Sequence, residues 1–185
     1  MTSSTALRPS SDSAQSPAPG PAWWGIASAL RRGCQRIPYS AIALLARFSL
    51  AAVFWNSGQT KIEGLVINLV NGEFQLGWPR LSGSAVALFQ DEYKLPLLPP
   101  DIAATLAATG EHVLALGLLL GLATRLSALG LLGMTLVIQL LVYPGAYATH
   151  GTWAALLLLL IARGPGVFSL DHGLVRAGLL PRAQP

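Results

Sequence analysis

Four long apolar stretches restrict the folds open to this chain more than any other feature of its sequence. They cover residues 38–57, 102–122, 126–143 and 147–162. A helix needs roughly 20 residues, with 17–25 as the usual range, to cross the hydrocarbon core of a bilayer. The first two stretches fit this length, the third just reaches it, and the fourth is short. Only residues 123–125 separate the second stretch from the third, which requires an antiparallel hairpin. Because an open strand edge in lipid leaves backbone groups unpaired, the sequence predicts an all-α polytopic membrane protein with an antiparallel four-helix transmembrane bundle.

The composition excludes several classes of protein. Charged residues make up 11% of the chain, whereas a soluble domain averages about 25%. The 12 basic residues are too sparse for a nucleic-acid-binding face, so we expect a lipid bilayer as the partner and no nucleic acid. The single cysteine, Cys34, excludes a dithiol redox pair, and no ligand spacing indicates a metal site. No cofactor is evident from the sequence.

The chain divides into four predicted regions. These are a disordered cytoplasmic tail at residues 1–22, a separate segment at 23–36, a four-span membrane domain at 37–163 and a cytoplasmic C-terminal tail at 164–185. The first region is rich in Ser, Pro and Ala and cannot bury enough apolar surface to fold. The second carries an apolar stripe beside arginines and is either an interfacial amphipathic helix or a solvated linker. The loop at residues 58–100 has room for a short re-entrant or surface helix.

Basic residues indicate the orientation of the predicted spans. They lie near both termini and in the turn after the second span. The residues concerned are Arg8, Arg31, Arg32, Arg36, Arg125, Arg163, Arg176 and Arg182. By the positive-inside rule both termini lie in the cytoplasm, and an even number of spans agrees with this. The sequence Gly-Pro-Gly at 164–166 ends the last helix, and Ser169 or Asp171 is expected to cap the turn that follows.

Two charged residues fall near the middle of predicted spans. Arg47 lies in the first span and Glu111 in the second, and an unpaired charge there costs about 2.5–3.5 kcal/mol on insertion scales. Counted at 1.5 Å per residue, Arg47 lies about 14 Å and Glu111 about 17 Å from the same end of the bundle. The similar depth predicts an Arg47–Glu111 ion pair.

Helical phase supports the same pair. Small residues share one face with Arg47 on the first span, namely Ser40, Ala43, Ala51 and Gly58. The second span has a comparable face of Ala103, Ala107, Gly110, Gly117 and Gly121. Glu111 flanks this face by about 100°, while His112 points away from it. Small residues are typical of packed membrane helices, so both charges are predicted to point into the bundle.

The predicted pair has two interpretations. It is either a structural clasp that fixes helix register or a site that binds a quinone head group or relays a proton. Under the second interpretation, Trp55 packs with Phe54 against the quinone ring. Gln139 is expected to form an interhelical hydrogen bond, and Trp153 to lie at the membrane interface.

Several separated strings resemble the DoxX family of small membrane proteins. FWNSGQTK at 54–61 resembles the end of that family's first helix, and FQDEYKLPLLPP at 89–100 resembles its loop before the second helix. GLATR with the apolar run at 127–144 resembles the third helix, and HGTW with ARGPGVFSLDHGL resembles the last helix and tail. The resemblance covers about residues 40–175. Its motif positions in this chain are Arg47, Gly58, Lys61, Glu111, Arg125, Trp153, Gly164, Pro165, Gly166 and Asp171.

The resemblance implies a small four-helix protein of the bacterial inner membrane. Some members of the family are subunits of a thiosulfate:quinone oxidoreductase, and others are linked to membrane-associated oxidative-stress complexes. We therefore expect a small subunit or accessory of a quinone-linked membrane redox process, with Lys61 as a further candidate site residue, and the resemblance leaves open whether the chain is itself an enzyme. A non-catalytic scaffold or assembly factor is the alternative. A small transporter is a third, although no inverted repeat or broken helix supports it. Homo-oligomerisation stays open.

Overall fold

The computed structural model describes residues 22–68 and 72–181. The tail predicted at residues 1–22 lies outside this range except for its last residue, where the first helix begins. The described residues form two units, which divide after Ile37. The first unit contains α1 (Ala22–Gln35), on which Trp23, Ile26 and Leu30 are exposed. A helix therefore occupies the segment predicted as amphipathic, and its location at a membrane surface stays a prediction.

The second unit contains six helices and four short strands within the described residues. In chain order they are α2 (Tyr39–Gln59), β1 (Ile62–Glu63), β2 (Val66–Asn68), β3 (Glu73–Gln75), β4 (Arg80–Leu81), α3 (Gly83–Leu88), α4 (Pro100–Leu120), α5 (Thr124–Val137), α6 (Tyr147–Arg163) and α7 (Leu170–Arg176). Wider π-helical turns extend α3 over Phe89–Tyr93 and α5 over Ile138–Val142, and a 3₁₀ turn at Pro144–Ala146 precedes α6.

Four of these helical segments are long and apolar enough to cross a membrane. They are Tyr39–Gln59, Pro100–Leu120, Thr124–Val142 and Pro144–Arg163. The four predicted spans are thus confirmed. The last span, predicted as short, reaches 20 residues because the 3₁₀ turn at its start adds to the helix. The fold is that of an all-α polytopic membrane protein.

The four spans form a closed ring. α2 packs against α4 and α6, and α5 packs against the same two helices. The core between them is mostly alanine and leucine, and its buried residues are Ala43, Ala46, Leu50, Ala51, Phe54, Ala115, Leu118, Ala128, Leu131, Leu157 and Leu160. Small side chains let membrane helices approach closely. Arg47 lies on the buried face of α2 as predicted, whereas Glu111 lies within the buried face of α4 and not beside it.

The segment between α2 and α4 contains the strands, which the sequence analysis did not predict. β2 pairs with β3 and β1 pairs with β4, both antiparallel. In the sequence, the β2–β3 hairpin therefore lies between the two strands of the β1–β4 pair. The short helix expected in this loop is present as α3, and its extension packs Phe89 against Ala103 and Ala104 at the start of α4. This packing places α3 and its extension beside the start of α4.

Candidate functional site

Arg47 does not pair with Glu111, so the predicted ion pair is wrong. The guanidinium instead donates hydrogen bonds to four backbone carbonyl oxygens. Nε donates to Leu118 at 2.8 Å, Nη2 to Leu119 at 2.9 Å, and Nη1 to Pro165 at 3.1 Å and Phe168 at 2.6 Å. The last carbonyls of a helix have no partner within the helix, and a long side chain can extend its charge toward the helix end. Glu111 lies level with Gly58, where a Cβ would be 3.2 Å from Glu111 Cβ, and Gly58 is eleven residues, or about 16 Å, along α2 from Arg47. The depth count that predicted the pair was therefore wrong.

Gly121 makes room for this arrangement. It ends α4 in the left-handed region at φ +68°, where glycine carries little strain. A Cβ atom at this position would lie 2.5 Å from Ser169 Cβ and 2.7 Å from Arg47 Nη2. The turn after α4 therefore needs glycine both for its backbone conformation and for the close approach of Arg47.

Asp171 holds the tail against the same turn. Its Oδ1 accepts from the backbone N–H of Ala123 at 2.8 Å, and its Oδ2 accepts from Thr124 at 2.9 Å. Asp171 thus satisfies free N–H groups at the start of α5, a cap supplied from a distant part of the chain. Ser169 caps α7, because its Oγ accepts from the backbone N–H of His172. Both residues expected as caps serve as caps, but on different helices.

Glu111 pairs with Lys61, at the other end of α2 from the tail. Lys61 Nζ lies 2.8 Å from Glu111 Oε2 and donates to Oε1 at 3.0 Å. Nζ also donates to the carbonyl oxygen and hydroxyl of Ser57. Ser57 Oγ in turn donates to Glu111 Oε1 at 2.8 Å. The two charged side chains are 5% and 3% exposed, so Lys61, just after the first span, forms a buried ion pair with Glu111 in the second.

All the hydrogen-bond donors of Lys61 are used within the chain, whereas one acceptor position of Glu111 is not. A lysine ammonium has three N–H groups, and Nζ has acceptors on Ser57 and Glu111 for all of them. Glu111 Oε2 is buried and has the Lys61 ammonium as its partner at 2.8 Å. A carboxylate oxygen has two lone pairs, and this contact uses one of them. The pair therefore retains one acceptor position and no free donor.

An apolar cavity of about 290 Å³ adjoins the ion pair. Lys61 and Glu111 form part of its wall, and most of the remainder is apolar. It includes Leu106 of α4 and Val137 of α5, both also exposed on the outer surface of their spans. Part of the wall thus faces the bilayer. Such a cavity suits an apolar molecule with a single polar end.

Two tyrosines outside the spans pack against each other beside this cavity. Tyr93 lines the cavity, and its ring packs edge-on against Tyr143 with centroids 5.8 Å apart. The Tyr143 hydroxyl donates to the carboxylate of Glu92, which raises the pKa of Tyr143. Burial, together with the negative charge of Glu111, raises the pKa of Tyr93. Both hydroxyls therefore remain protonated at neutral pH. This tyrosine pair was not predicted, although Glu92 and Tyr93 lie in the loop string FQDEYKLPLLPP that resembles the DoxX family.

His112 lies inside the structure, contrary to the prediction that it points away. Its Nδ1 lies 2.7 Å from the carbonyl oxygen of Ala108, so Nδ1 is the donor, and Nε2 accepts from Gln59 Nε2 at 2.9 Å. Gly58 provides the space, since a Cβ there would lie 2.6 Å from His112 Cε1. The imidazole packs edge-on against Trp55, with ring centroids 4.9 Å apart.

The remaining candidates lie away from the cavity. Trp55 donates from Nε1 to the carbonyl of Ile67 at 3.0 Å and thereby joins α2 to the hairpin. Gln139 forms the expected interhelical hydrogen bond, since His150 Nδ1 of α6 lies 2.8 Å from its Oε1. Trp153 packs against Phe54 with ring centroids 5.6 Å apart. Within the described residues, no group of three or more His, Cys, Asp or Glu side chains could hold a metal ion.

Comparison with known families agrees with this architecture. The family model described as DoxX matches residues 42–144, just over half of the chain. The chain belongs to the DoxX family. The DoxX match includes Arg47, Lys61 and Glu111 and ends before α6, so the resemblance seen in HGTW and in the tail lies beyond it. No curated protein and no solved structure matches the chain.

Proposed function

We propose that this DoxX-family membrane protein binds a quinol in the cavity beside Lys61 and Glu111. In this proposal it acts as a subunit or accessory of a quinone-linked redox process in the bacterial inner membrane, with both termini in the cytoplasm. The observation that carries the proposal is the buried Glu111 Oε2, which keeps a lone pair beyond its contact with Lys61 and belongs to a residue that lines an apolar cavity. A quinol offers a hydroxyl donor on an apolar ring.

The unused acceptor position on Glu111 favours quinol, the reduced form, over quinone. A quinone offers only carbonyl acceptors, and the ammonium of Lys61 is already fully hydrogen bonded within the chain. A quinol hydroxyl supplies a further donor for Glu111 Oε2. The cavity of about 290 Å³ is just below the range of about 300–1,000 Å³ for small-molecule sites. It suits a head group whose tail remains in the bilayer.

The chemistry of this site follows from the charges. Oxidation of a quinol to a quinone releases two protons and two electrons. Glu111 is placed to accept the two hydroxyl protons one after the other, releasing the first before it takes the second, and Lys61 stabilises the carboxylate before each transfer. The exposed Glu92 carboxylate, hydrogen bonded to Tyr143 beside Tyr93, offers an acceptor for the released protons. The two electrons pass to an acceptor in a partner protein.

Quinol extraction from purified variants tests this proposal. The protein is purified in nanodiscs and the bound quinone pool is extracted and quantified. We expect Glu111→Gln to lose most of the co-purifying quinol, because the amide carries no negative charge and no longer favours the hydroxyl donor. Glu73→Gln, at an exposed position on β3, is the matched control and should retain it. Retention by Glu111→Gln at the wild-type level, with its helical circular dichroism unchanged, overturns the proposal.

A non-catalytic scaffold is the second candidate, and one observation favours it. Phe74, Leu76 and Trp78 are 63%, 83% and 84% exposed in the loop between the first two spans. Exposed apolar residues outside the spans are typical of a contact with another protein or the membrane surface. Under the scaffold alternative, the exchanged pair Lys61→Glu with Glu111→Lys should restore stability and partner binding without any role for quinol.

A further inference from the structure

A second cavity, of about 480 Å³, lies at the opposite end of the bundle from the Lys61–Glu111 pair. Its wall combines the start of α2, the turn between α4 and α5, and the segment that follows α6. The residues on which its chemistry depends are Tyr39, Thr124, Arg125, Arg163 and Asp171. None of these takes part in the proposed quinol site.

Two arginines contribute positive charge to this cavity. The guanidinium of Arg163 lies over the ring of Tyr39, with Cζ 5.7 Å from the centroid. The guanidinium of Arg125 lies beside Gly164, where a Cβ atom would be 3.7 Å from Nη2. Within residues 22–68 and 72–181, neither guanidinium forms an ion pair with a carboxylate. The two cations thus approach the same wall from α5 and α6.

The negative charge in the wall does not neutralise them. Asp171 is the carboxylate of the cavity, and both of its oxygens already accept backbone N–H groups of Ala123 and Thr124. Arg47, buried behind the turn, adds another cation near Asp171. Within the described residues, the cavity wall thus contains two guanidinium groups and one carboxylate that is already hydrogen bonded, with the guanidinium of Arg47 buried behind that carboxylate. The cavity carries excess positive charge.

The wall between the two arginines is fixed by hydrogen bonds. The Tyr39 hydroxyl donates to the carbonyl oxygen of Gly164 at 2.6 Å. Gly166, at φ +79°, lies so close to α2 that a Cβ would be 3.0 Å from Ser40 Cα. Thr124 also lines the cavity, is fully buried, and has a hydroxyl oxygen without a hydrogen-bonding partner. Two cations and an unused hydroxyl thus lie on one ordered wall.

We propose that this cavity binds a phosphate group, presented either by the head group of an anionic phospholipid or by free phosphate. Arginine suits this ligand because its planar guanidinium donates two parallel hydrogen bonds to phosphate oxygens. The position also suits a lipid, since Arg163 ends the last span and Thr124 begins the third. Basic pockets between transmembrane helices at this level bind anionic head groups.

Lipid binding to charge-neutral variants tests the site. The full chain is placed in phosphatidylcholine nanodiscs and titrated with phosphatidylglycerol, with bound lipid measured by native mass spectrometry. One arginine at an anionic surface corresponds to about a fivefold change in affinity. We expect Arg125→Gln and Arg163→Gln each to weaken binding about fivefold, and the double variant to weaken it further. Arg176→Gln, an exposed arginine of α7 outside the cavity, should bind as wild type.

A parallel titration with inorganic phosphate identifies the source of the phosphate. If phosphate alone raises the melting temperature of the wild type and not of the double variant, the site binds free phosphate. If only phosphatidylglycerol does so, the ligand is the lipid head group. Binding of both ligands by the double variant within twofold of wild type overturns the proposal, as does an equal loss in Arg176→Gln. Unchanged helical circular dichroism shows that each variant has folded.

Discussion

Replacing Arg47 by methionine tests the structural part of this account. The substitution keeps a long apolar stem on α2 and removes the guanidinium that donates to four carbonyl oxygens of the α4 end and the tail. A hydrogen bond to a charged group contributes a net of about 1.5–3 kcal/mol, so at the lower value the four lost bonds reduce the free energy of unfolding by about 6 kcal/mol. Arg47→Lys should lower the free energy of unfolding by less, because the ammonium still donates to some of the carbonyls although it lacks the planar arrangement of donors of a guanidinium.

The assay is reversible unfolding in mixed micelles, monitored by circular dichroism, with Arg176→Met as control for loss of an exposed arginine. We also expect the tail of Arg47→Met to be cleaved faster by protease, because Pro165 and Phe168 lose their donor. A free energy of unfolding within 1 kcal/mol of wild type, on the scale of one hydrogen bond, would show that Arg47 does not hold the α4 end and the tail together.

Two further predictions concern the loop side of the bundle. Gly58→Ala should destabilise the protein by about 1–3 kcal/mol, because the new Cβ would lie 2.6 Å from His112 Cε1. Gly133→Ala is the control, since a Cβ there would contact nothing within 4 Å. In the same unfolding assay this control should be no less stable than wild type. The hydrogen bond to Glu92 raises the pKa of Tyr143 in the folded protein. This hydrogen bond therefore stabilises the fold fully below the pKa of an unfolded tyrosine, about 10, and its contribution is lost as the pH rises from there through the folded pKa. Thermal melts from pH 8 to pH 11 should therefore fall less steeply for Tyr143→Phe than for wild type, and parallel curves would contradict the assignment.

The spans were predictable because their signal is long and one-dimensional. A helix in lipid must be apolar over about 20 residues, and four such runs stand out in the sequence. The last span was underestimated because its first turn, Pro144–Ala146, contains a proline and a glycine that read as a loop. Strands of two or three residues, such as β1 and β4, are too short for any alternation to show in the sequence.

The site was only partly predictable, for a reason of geometry. Depth counting placed the Cα atoms of Arg47 and Glu111 level because it assumed that α2 and α4 begin and end at the same depth, whereas Glu111 lies level with Gly58 near the end of α2. Arg47 reaches the free carbonyls at the end of α4, and Glu111 meets Lys61, which enters from the loop. The resemblance to the DoxX family had already singled out Lys61, whereas counting residues within the spans could not. The role of Asp171 also depends on a tertiary contact across the chain.

Direct titration with quinol and quinone tests the central claim most directly. A short-tailed quinol and the matching quinone are titrated separately into wild type and Glu111→Gln in nanodiscs, under anaerobic conditions. A hydrogen bond to a charged acceptor contributes about 1.5–3 kcal/mol, so the wild type should bind quinol at least tenfold more tightly than quinone. Glu111→Gln should lose that preference. Equal affinity of the wild type for both forms, or an unchanged preference in Glu111→Gln, would contradict a quinol site at this ion pair.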